Sequence, residues 1–247
     1  MPEYRYVWLF WAAAFLVPWA VLYAMSPGLR RRMLRVSAAT SLLGLTEPIF
    51  VPRYWNPPTV FDLAQRTGLD LESLVFCFAI GGIASVLYEA FSRREARTPA
   101  PAERDLARHR LHALALTIPY LAFPLLYVLP WNPIYAGIAA LALGAVANVL
   151  CRPDLGRRTV VGGLLFLGLY AVFMVMLVVF APGYIQQVWN LPALSGVLVF
   201  GIPLEELAFG FSFGTYWAGI YEHFTWKQPA PRRVSESLDP FQRGQHG

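Results

Sequence analysis

Residues 68–91 read GLDLESLVFCFAIGGIASVLYEAF, and residues 201–224 read GIPLEELAFGFSFGTYWAGIYEHF. The two stretches align without a gap, and the alignment brings Glu72 opposite Glu205. Each stretch is long enough to cross a bilayer as a helix, which takes about 20 predominantly apolar residues. The chain therefore contains two related copies of a unit that ends in a membrane helix.

The match between the copies extends upstream of these stretches. Trp55-Asn56 corresponds to Trp189-Asn190, one residue out of step, and SPGLRR at 26–31 resembles RPDLGRR at 152–158. We therefore expect three spans in the first copy to repeat as three spans in the second. Because each copy has an odd number of spans, one further span must link them if both keep the same orientation in the membrane.

The composition indicates an integral membrane protein. Of the 247 residues, 57% are hydrophobic and 14% are charged, whereas soluble domains carry about 25% charged residues. The sequence predicts an all-α membrane fold of about seven transmembrane helices, arranged as a 3+1+3 tandem repeat. The predicted spans are 5–25, 36–52, 71–91, 111–130, 134–151, 159–181 and 203–225.

The repeat divides the chain into four segments. We expect a first three-helix repeat, a linker with the fourth helix, a second three-helix repeat and a disordered cytoplasmic tail. These segments comprise residues 1–95, 96–133, 134–228 and 229–247. The polar stretch Thr98-Pro99-Ala100-Pro101 is predicted to be a flexible connector between the halves.

The basic residues predict the orientation. Seventeen of the twenty Lys and Arg residues fall in alternate loops and in the C-terminal tail. Since short cytoplasmic loops are enriched in positive charge, the N-terminus is predicted to lie outside and the C-terminus in the cytoplasm. Because the arginines occupy these short loops, the net charge of +5 does not indicate a nucleic-acid partner.

Carboxylates in or near the apolar spans are the candidate functional residues. An ionisable group at membrane depth costs about 2.5–3.5 kcal/mol on insertion scales and is a functional hypothesis by default. Four such residues are candidates for proton transfer: Glu47, Glu72, Glu205 and Glu206. The alternative is structural, because acidic residues, including Asp70, are favoured in the first turn of a helix. Glu47 either faces a cavity between the halves or lies at the interface in water.

Other polar and aromatic residues leave two interpretations open. The aromatic residues of the last span form either a packing surface or an apolar channel whose ring faces stabilise a carbocation. Gly210 and Gly214 form a GxxxG pair that allows close helix approach. Glu89 and Glu222 are predicted to form ion pairs at the opposite membrane face, near Arg93, Arg94 and Lys227.

No cofactor or metal is expected from the motifs. The sequence has no GxGxxG motif, and its single lysine excludes a retinal Schiff base in the last span. His109 and His112 lie at a loop end, and Cys77 and Cys151 are predicted to be small apolar residues of the spans.

The second copy, with Trp189-Asn-Leu-Pro followed by GIPLEELAF from Gly201, resembles the lycopene cyclase domain of the heterodimeric bacterial and fused fungal type. The resemblance implies that Pro203, Glu205, Glu206 and Phe209 stand at motif positions and that Glu72 stands at the corresponding position of the first copy. Around this motif we expect a substrate-binding set comprising Pro203, Phe209, Phe213, Tyr216, Trp217, Trp55 and Trp189.

The resemblance implies a carotenoid end-group cyclase of the bacterial cell membrane. Such a reaction is an isomerisation: a proton adds to an alkene, the cation closes a ring and a proton leaves, so an acid, a base and a dry aromatic pocket suffice without a cofactor. The expected partners are a hydrophobic carotenoid, the bilayer and further subunits in a homo- or hetero-oligomer.

Two other functions remain open at this point: a non-catalytic isoprenoid-binding or partner subunit, and a small-solute transporter built from parallel three-helix repeats. The most specific expectation is that the Glu205 carboxyl group faces the cavity between the halves, with Glu206, Glu72 and Glu47 nearby.

Overall fold

The computed structural model describes residues 4–92, 94–97, 112–226 and 228–231. Within these residues the chain is mostly helical. The α-helices are α1 (Val7–Ala14), α2 (Leu16–Met25), α3 (Arg30–Ser41), α4 (Glu47–Phe50), α5 (Leu63–Thr67), α6 (Leu71–Phe91), α7 (His112–Tyr127), α8 (Pro133–Cys151), α9 (Gly156–Phe180), α10 (Tyr184–Val188) and α11 (Leu204–Thr225). The strands are β1 (Arg94–Arg97), β2 (Leu198–Val199), β3 (Ile202–Pro203) and β4 (Gln228–Pro231), which pair antiparallel as β1 with β4 and β2 with β3.

Four helical segments are long and apolar enough to cross a membrane: Val7–Met25, Leu71–Phe91, Pro133–Cys151 and Pro153–Phe180. They correspond to the first, third, fifth and sixth predicted spans. The last of these segments carries exposed Leu and Val side chains. Such side chains can face a bilayer, because lipid tails are as apolar as leucine. The expectation of an all-α membrane fold is supported by these helices.

The other three predicted spans fall short of this standard among the described residues. The span predicted at 36–52 is broken, because α3 ends at Ser41, a 3-10 turn follows and α4 has only 4 residues. The helix α7 has 16 residues and carries two internal prolines. The helix α11 has 22 residues but opens on two carboxylates. The count of seven spans therefore stays a prediction.

In each half the last long helix packs against helices that precede it in the chain. In the first half α6 packs against α1, α2 and α3, and in the second half α11 packs against α8 and α9. The helices α6 and α11 also contact each other and so join the halves. This packing is what two related three-helix units would give, although the 3+1+3 repeat itself stays a prediction.

Corresponding segments of the two halves also bind each other directly. The backbone N–H of Asn56 donates to Val188 O over 2.8 Å, and the N–H of Asn190 donates to Tyr54 O over 2.9 Å. These two hydrogen bonds enclose an antiparallel bridge between Trp55 and Trp189. The matched Trp-Asn pairs of the sequence thus meet at one place between the halves.

Two aligned glycines precede α6 and α11, which we call the central helices. Gly68 follows α5 and Gly201 turns β2 into β3, with φ angles of 76° and 81°. Glycine adopts this left-handed conformation without the steric cost that a side chain would bring. The same backbone requirement before α6 and before α11 explains why both copies place a glycine here.

A buried ion cluster holds the halves together at the far end of the central helices. Arg32 pairs with Glu89 over 2.7 Å and with Glu222 at short range. Arg158 pairs with both carboxylates as well, its Nη2 lying 2.7 Å from Glu89 Oε2 and 3.2 Å from Glu222 Oε2. Arg32 and Arg158 each occupy the third position of their helix, α3 and α9, and Glu89 and Glu222 are aligned in the two stretches, so each half supplies one arginine and one glutamate.

The described partners of the two glutamates are arginines that the sequence interpretation did not name. Glu89 and Glu222 were expected to pair at the membrane face with Arg93, Arg94 and Lys227. Among the described residues their partners are two arginines at the starts of α3 and α9, and Glu222 is 0% exposed. Arg93, Lys227 and the side chain of Arg94 lie outside the described part of the chain, so the predicted pairing stays a prediction.

Close packing of α9 on α11 depends on small residues. A Cβ at Gly163 would lie 3.2 Å from Thr215 N and 3.3 Å from its Cα, and backbone atoms cannot move aside easily. Gly210 and Gly214, the GxxxG pair, face Tyr170 and Phe166 of α9 at similarly short range. The expected close helix approach is therefore present at this pair.

We predict that Gly163→Ala lowers the stability of the protein, because the added methyl group overpacks the α9–α11 contact at a cost of about 1–3 kcal/mol. Gly168 on the same helix is the matched control, since nothing lies within 4 Å of a Cβ placed there. Thermal unfolding of the detergent-solubilised protein, followed by helical circular dichroism, should show a lower midpoint for Gly163→Ala and no loss for Gly168→Ala. Equal midpoints would contradict the packing described.

The predicted cytoplasmic tail begins inside described structure. Residues 228–231 form β4 and pair with β1, which joins the end of α11 to the segment after α6. The tail was predicted to be disordered from Pro229, whereas its first residues, up to Pro231, belong to a strand. Residues 232–247 lie outside the described residues. The connector predicted at 98–101 and His109 lie outside them as well.

Candidate active site

A cavity of about 350 Å³ lies between the two halves. Both halves contribute to its wall, which is mostly aromatic and aliphatic. Two carboxylates, Glu47 and Glu206, line it. The aromatic residues of the wall are Trp8, Trp11, Phe15, Phe50, Tyr54, Trp55, Phe76, Tyr120, Phe123, Tyr170, Trp189, Phe209, Phe213, Tyr216 and Trp217.

Glu206 lies in the first turn of α11 and is held by donors from three parts of the chain. The hydroxyl of Tyr54 donates to its Oε1 and the hydroxyl of Tyr170 donates to its Oε2. Trp189 Nε1 donates to Oε1 over 2.8 Å and lies 3.2 Å from the Tyr54 hydroxyl. With 5% of its surface exposed, Glu206 is a buried carboxylate whose two oxygens are both fixed in direction.

The donors of Glu206 come from structurally distinct positions. Tyr54 and Trp189 belong to the two segments that form the bridge between the halves, and Tyr170 lies in the middle of α9. Burial and the neighbouring Glu206 carboxylate raise the pKa of Tyr54 well above its usual range, so this phenol stays protonated and remains a donor. The bridge between the Trp-Asn pairs thus also positions Glu206.

Glu205 does not share this position. Its Oε1 accepts a hydrogen bond from the Tyr135 hydroxyl over 2.7 Å and another from Ser195 N over 2.8 Å. Glu205 is buried, with 3% of its surface exposed, but it is not one of the described residues that line the cavity. The structure therefore differs from the expectation that Glu205 faces the cavity. Adjacent helical residues point about 100° apart, and Glu206 takes the inward direction.

Glu72 has the same local role as its counterpart Glu205. Its Oε1 accepts from Val60 N over 2.7 Å, just as Glu205 accepts from Ser195 N. Each carboxylate thereby ties a preceding loop to the first turn of a central helix, where negative charge is also favoured by the helix dipole. Glu72, too, is absent from the described cavity wall. The match between the two glutamates therefore has a structural explanation.

Glu47 lies in the cavity wall, as one of its two expected positions required. It opens α4 after the 3-10 turn Leu42–Thr46 and is 8% exposed. Its Oε1 has no hydrogen-bond partner among the described residues. Ser73 at the start of α6 lines the same part of the wall. The position that corresponds to Glu47 in the second copy is occupied by Ala181, so the site is asymmetric.

A row of aromatic rings runs along α11 from Glu206 into the cavity. Phe209, Phe213 and Trp217 follow at helical spacing, with ring centroids 5.6 Å and 4.3 Å apart. Six of the seven predicted substrate-binding residues line the cavity: Phe209, Phe213, Tyr216, Trp217, Trp55 and Trp189. The seventh, Pro203, is buried in β3 before α11 and is not part of the described wall.

The sequence interpretation missed two residues that hold Glu206, Tyr54 and Tyr170. Tyr170 carried a signal, because a phenol in the middle of a long apolar span requires a hydrogen-bond partner. Tyr54 directly precedes the matched Trp55-Asn56 pair, but its counterpart is Val188, so the repeat gives it no support.

Comparison with known families gives one match. Residues 132–224 match the family model for lycopene cyclase, a range that comprises α8 to α11 with Tyr170, Trp189 and Glu206. Comparisons with curated proteins and with solved structures gave no significant match. The match confirms the resemblance seen around the Pro203–Phe209 motif: residues 132–224 of this chain are similar to the lycopene cyclase family.

Proposed function

We propose that this chain is a membrane carotenoid end-group cyclase that works by acid/base cycloisomerisation without a cofactor. The observation that carries the proposal is the Glu206 carboxylate, which lies in an aromatic cavity and belongs to the segment that matches the lycopene cyclase family. The family match supports a carotenoid-related cyclase, and the geometry of the cavity supports the assignment of roles to residues.

Glu206 is assigned as the base of this reaction. Three donors, two phenols and an indole, point at its two oxygens. A carboxylate oxygen beside the ring cation can accept the proton whose loss forms the new double bond. Its fixed orientation also places the accepting oxygen before the substrate arrives.

Glu47 is assigned as the acid. It lines the same cavity from the first half, and one of its oxygens has no hydrogen-bond partner among the described residues. A carboxyl group in apolar surroundings is favoured in its neutral form and can then donate a proton. In the proposed reaction the Glu47 proton adds to the terminal alkene, the cation closes on a neighbouring double bond, and Glu206 takes a proton from the ring.

The aromatic wall stabilises the cation between these two proton transfers. Ring faces attract cations by about 0.5–2 kcal/mol each, and more strongly where water is excluded. The row formed by Phe209, Phe213 and Trp217 follows Glu206 along the cavity. The cavity has the size that accommodates one drug-sized group, so it would hold a single end group while the rest of the polyene extends into the bilayer.

The experiment that tests the function is product analysis in a bacterial host that accumulates lycopene. The proposal expects a cyclic isomer of unchanged elemental composition when the full chain is expressed. Lycopene that co-purifies with the folded protein but is unchanged would contradict catalysis and support an isoprenoid-binding subunit. Uptake of a polar solute without any cyclic product would support a transporter. The empty-vector host is the control for background cyclisation.

A further inference from the structure

Three metal-ligating side chains meet at the ends of three helices, away from the cavity. His112 opens α7, Cys151 ends α8 and His223 lies in the last turn of α11. Their nitrogen and sulfur atoms all lie within 4.8 Å of one another. His223 is 0% exposed and Cys151 is 6% exposed, so two of the three donors are buried.

The donor atoms converge at distances close to those around a tetrahedral metal. His112 Nδ1 lies 3.0 Å from His223 Nε2 and 3.5 Å from Cys151 Sγ. Zinc binds imidazole at about 2.0–2.1 Å and thiolate at about 2.3 Å, which implies N···N of about 3.4 Å and N···S of about 3.6 Å in a tetrahedral site. To hold the ion, the His–His contact would open by a few tenths of an ångström, and the Cys151–His223 pair, whose donor atoms lie within 4.8 Å, would settle at about 3.6 Å.

The chemistry of the set favours a borderline transition metal. Two imidazoles and one thiolate suit Zn²⁺, whereas Mg²⁺ and Ca²⁺ require oxygen ligands. The positive charge of the adjacent Arg152 is paired with Asp154 over 2.6 Å. Trp226 stacks on the His112 ring at 4.0 Å and covers that side of the group.

We propose that His112, Cys151 and His223 bind one Zn²⁺ ion. The ion would tie α7 to the ends of α8 and α11, and it would thereby fix the linker helix to the second half. None of the three residues is among the described residues of the cavity wall, so the site is separate from the Glu206 site. Cys151 and His223 lie 39 and 111 residues after His112, so a short sequence motif cannot identify the three ligands.

The first measurement is the metal content of the full chain, purified without a polyhistidine tag. The expected result is about one zinc per chain, as for a site with three protein ligands and a water molecule in the fourth position. Removal of zinc by a chelator should lower the thermal midpoint, and added Zn²⁺ should restore it, because the ion binds only the folded form. Folded protein that contains no zinc and shows no shift with added Zn²⁺ would overturn the proposal.

The ligands are identified with Co²⁺ as the probe. Zinc-free protein titrated with Co²⁺ should develop a thiolate-to-cobalt charge-transfer absorption that saturates at one equivalent. Cys151→Ser should abolish this absorption, and His223→Gln should weaken or shift it. The matched control is Cys77→Ser, which removes the chain's other cysteine and should leave the absorption intact.

Folding of each variant is verified by its helical circular dichroism before the titration. If Cys151→Ser does not fold, the wild-type and Cys77→Ser spectra still decide the question, because Cys151 is then the only thiolate source. Absence of the absorption in folded wild type, its loss in Cys77→Ser or its persistence in Cys151→Ser would each refute the site.

Discussion

Glu206→Gln is expected to reduce the amount of cyclised product per folded protein by about 10²–10⁴-fold, the usual cost of losing a general acid or base. Glutamine keeps the size of the side chain. Its carbonyl oxygen can still accept from Tyr54 and Trp189, and its amide N–H can donate to the hydroxyl oxygen of Tyr170. It cannot take up a proton. The loss should therefore appear in turnover, while the folded yield and the binding of linear carotenoid stay close to those of the wild type.

Glu205→Gln is the matched control, because the two residues are neighbours in the same helical turn. The Glu205 carboxylate holds Tyr135 and the Ser195 backbone rather than lining the cavity. Its replacement should cost on the order of 1 kcal/mol of stability, as for other helix-start carboxylates, and leave the activity of the folded fraction intact. If Glu205→Gln were inactive and Glu206→Gln active, the assignment of the two residues would be reversed.

Arg158→Met is expected to destabilise the protein by about 3–5 kcal/mol, because it leaves two buried carboxylates, Glu89 and Glu222, with Arg32 as their one remaining cation in the described cluster. Arg158 is 2% exposed and contacts Glu89, Glu222 and the backbone oxygens of Ala218 and Ser85. Its loss would remove one of the two cations that hold the ends of α6 and α11 together. The measurement is folded yield and thermal midpoint in detergent.

Arg157→Met is the control for this prediction. Arg157 precedes Arg158 on α9 but is exposed, so the same substitution should change stability by less than about 0.5 kcal/mol. A midpoint for Arg158→Met that matches Arg157→Met would show that the cluster does not hold the halves together. Glu89, although far from the cavity, is no suitable neutral control for Glu206, because it belongs to this cluster.

Much of the architecture could be predicted because it rests on patterns with a simple physical cause. Long apolar segments predicted the helices at 71–91 and 134–151 almost to the residue, since crossing a bilayer demands a fixed helical length. The glycines Gly68 and Gly201 aligned because the backbone needs a left-handed residue before each central helix. The matched Trp55 and Trp189 met in space, as members of one bridge between the halves.

The site was predicted less well because its details depend on direction and on partners remote in sequence. Two adjacent glutamates look alike in the sequence, and which of them faces inward depends on how the β2–β3 hairpin sets the start of α11. The match of Glu72 with Glu205 favoured the wrong neighbour for the cavity, since a shared loop contact explains that match. Tyr170 lies 36 residues from Glu206, beyond the reach of any local pattern.

The break in the second predicted span has a local cause. Gly44 packs so closely against the backbone of α6 that a Cβ at this position would lie only 2.7 Å from Leu74 N. Pro48 lies in the first turn of α4. Proline lacks the N–H that would continue a preceding helix and is favoured where a new one starts. After this interruption the side chain of Glu47 lies in the cavity wall.

The most direct test of the proposed reaction is cyclisation of lycopene by the purified full chain in D₂O. An acid/base cycloisomerisation adds one solvent proton to the alkene and releases one from the ring. The account therefore predicts a cyclic product that carries one deuterium for each ring closed, formed without an added redox cofactor, and no such product with Glu206→Gln. A cyclic product without deuterium, or equal labelled product from Glu206→Gln, would contradict it.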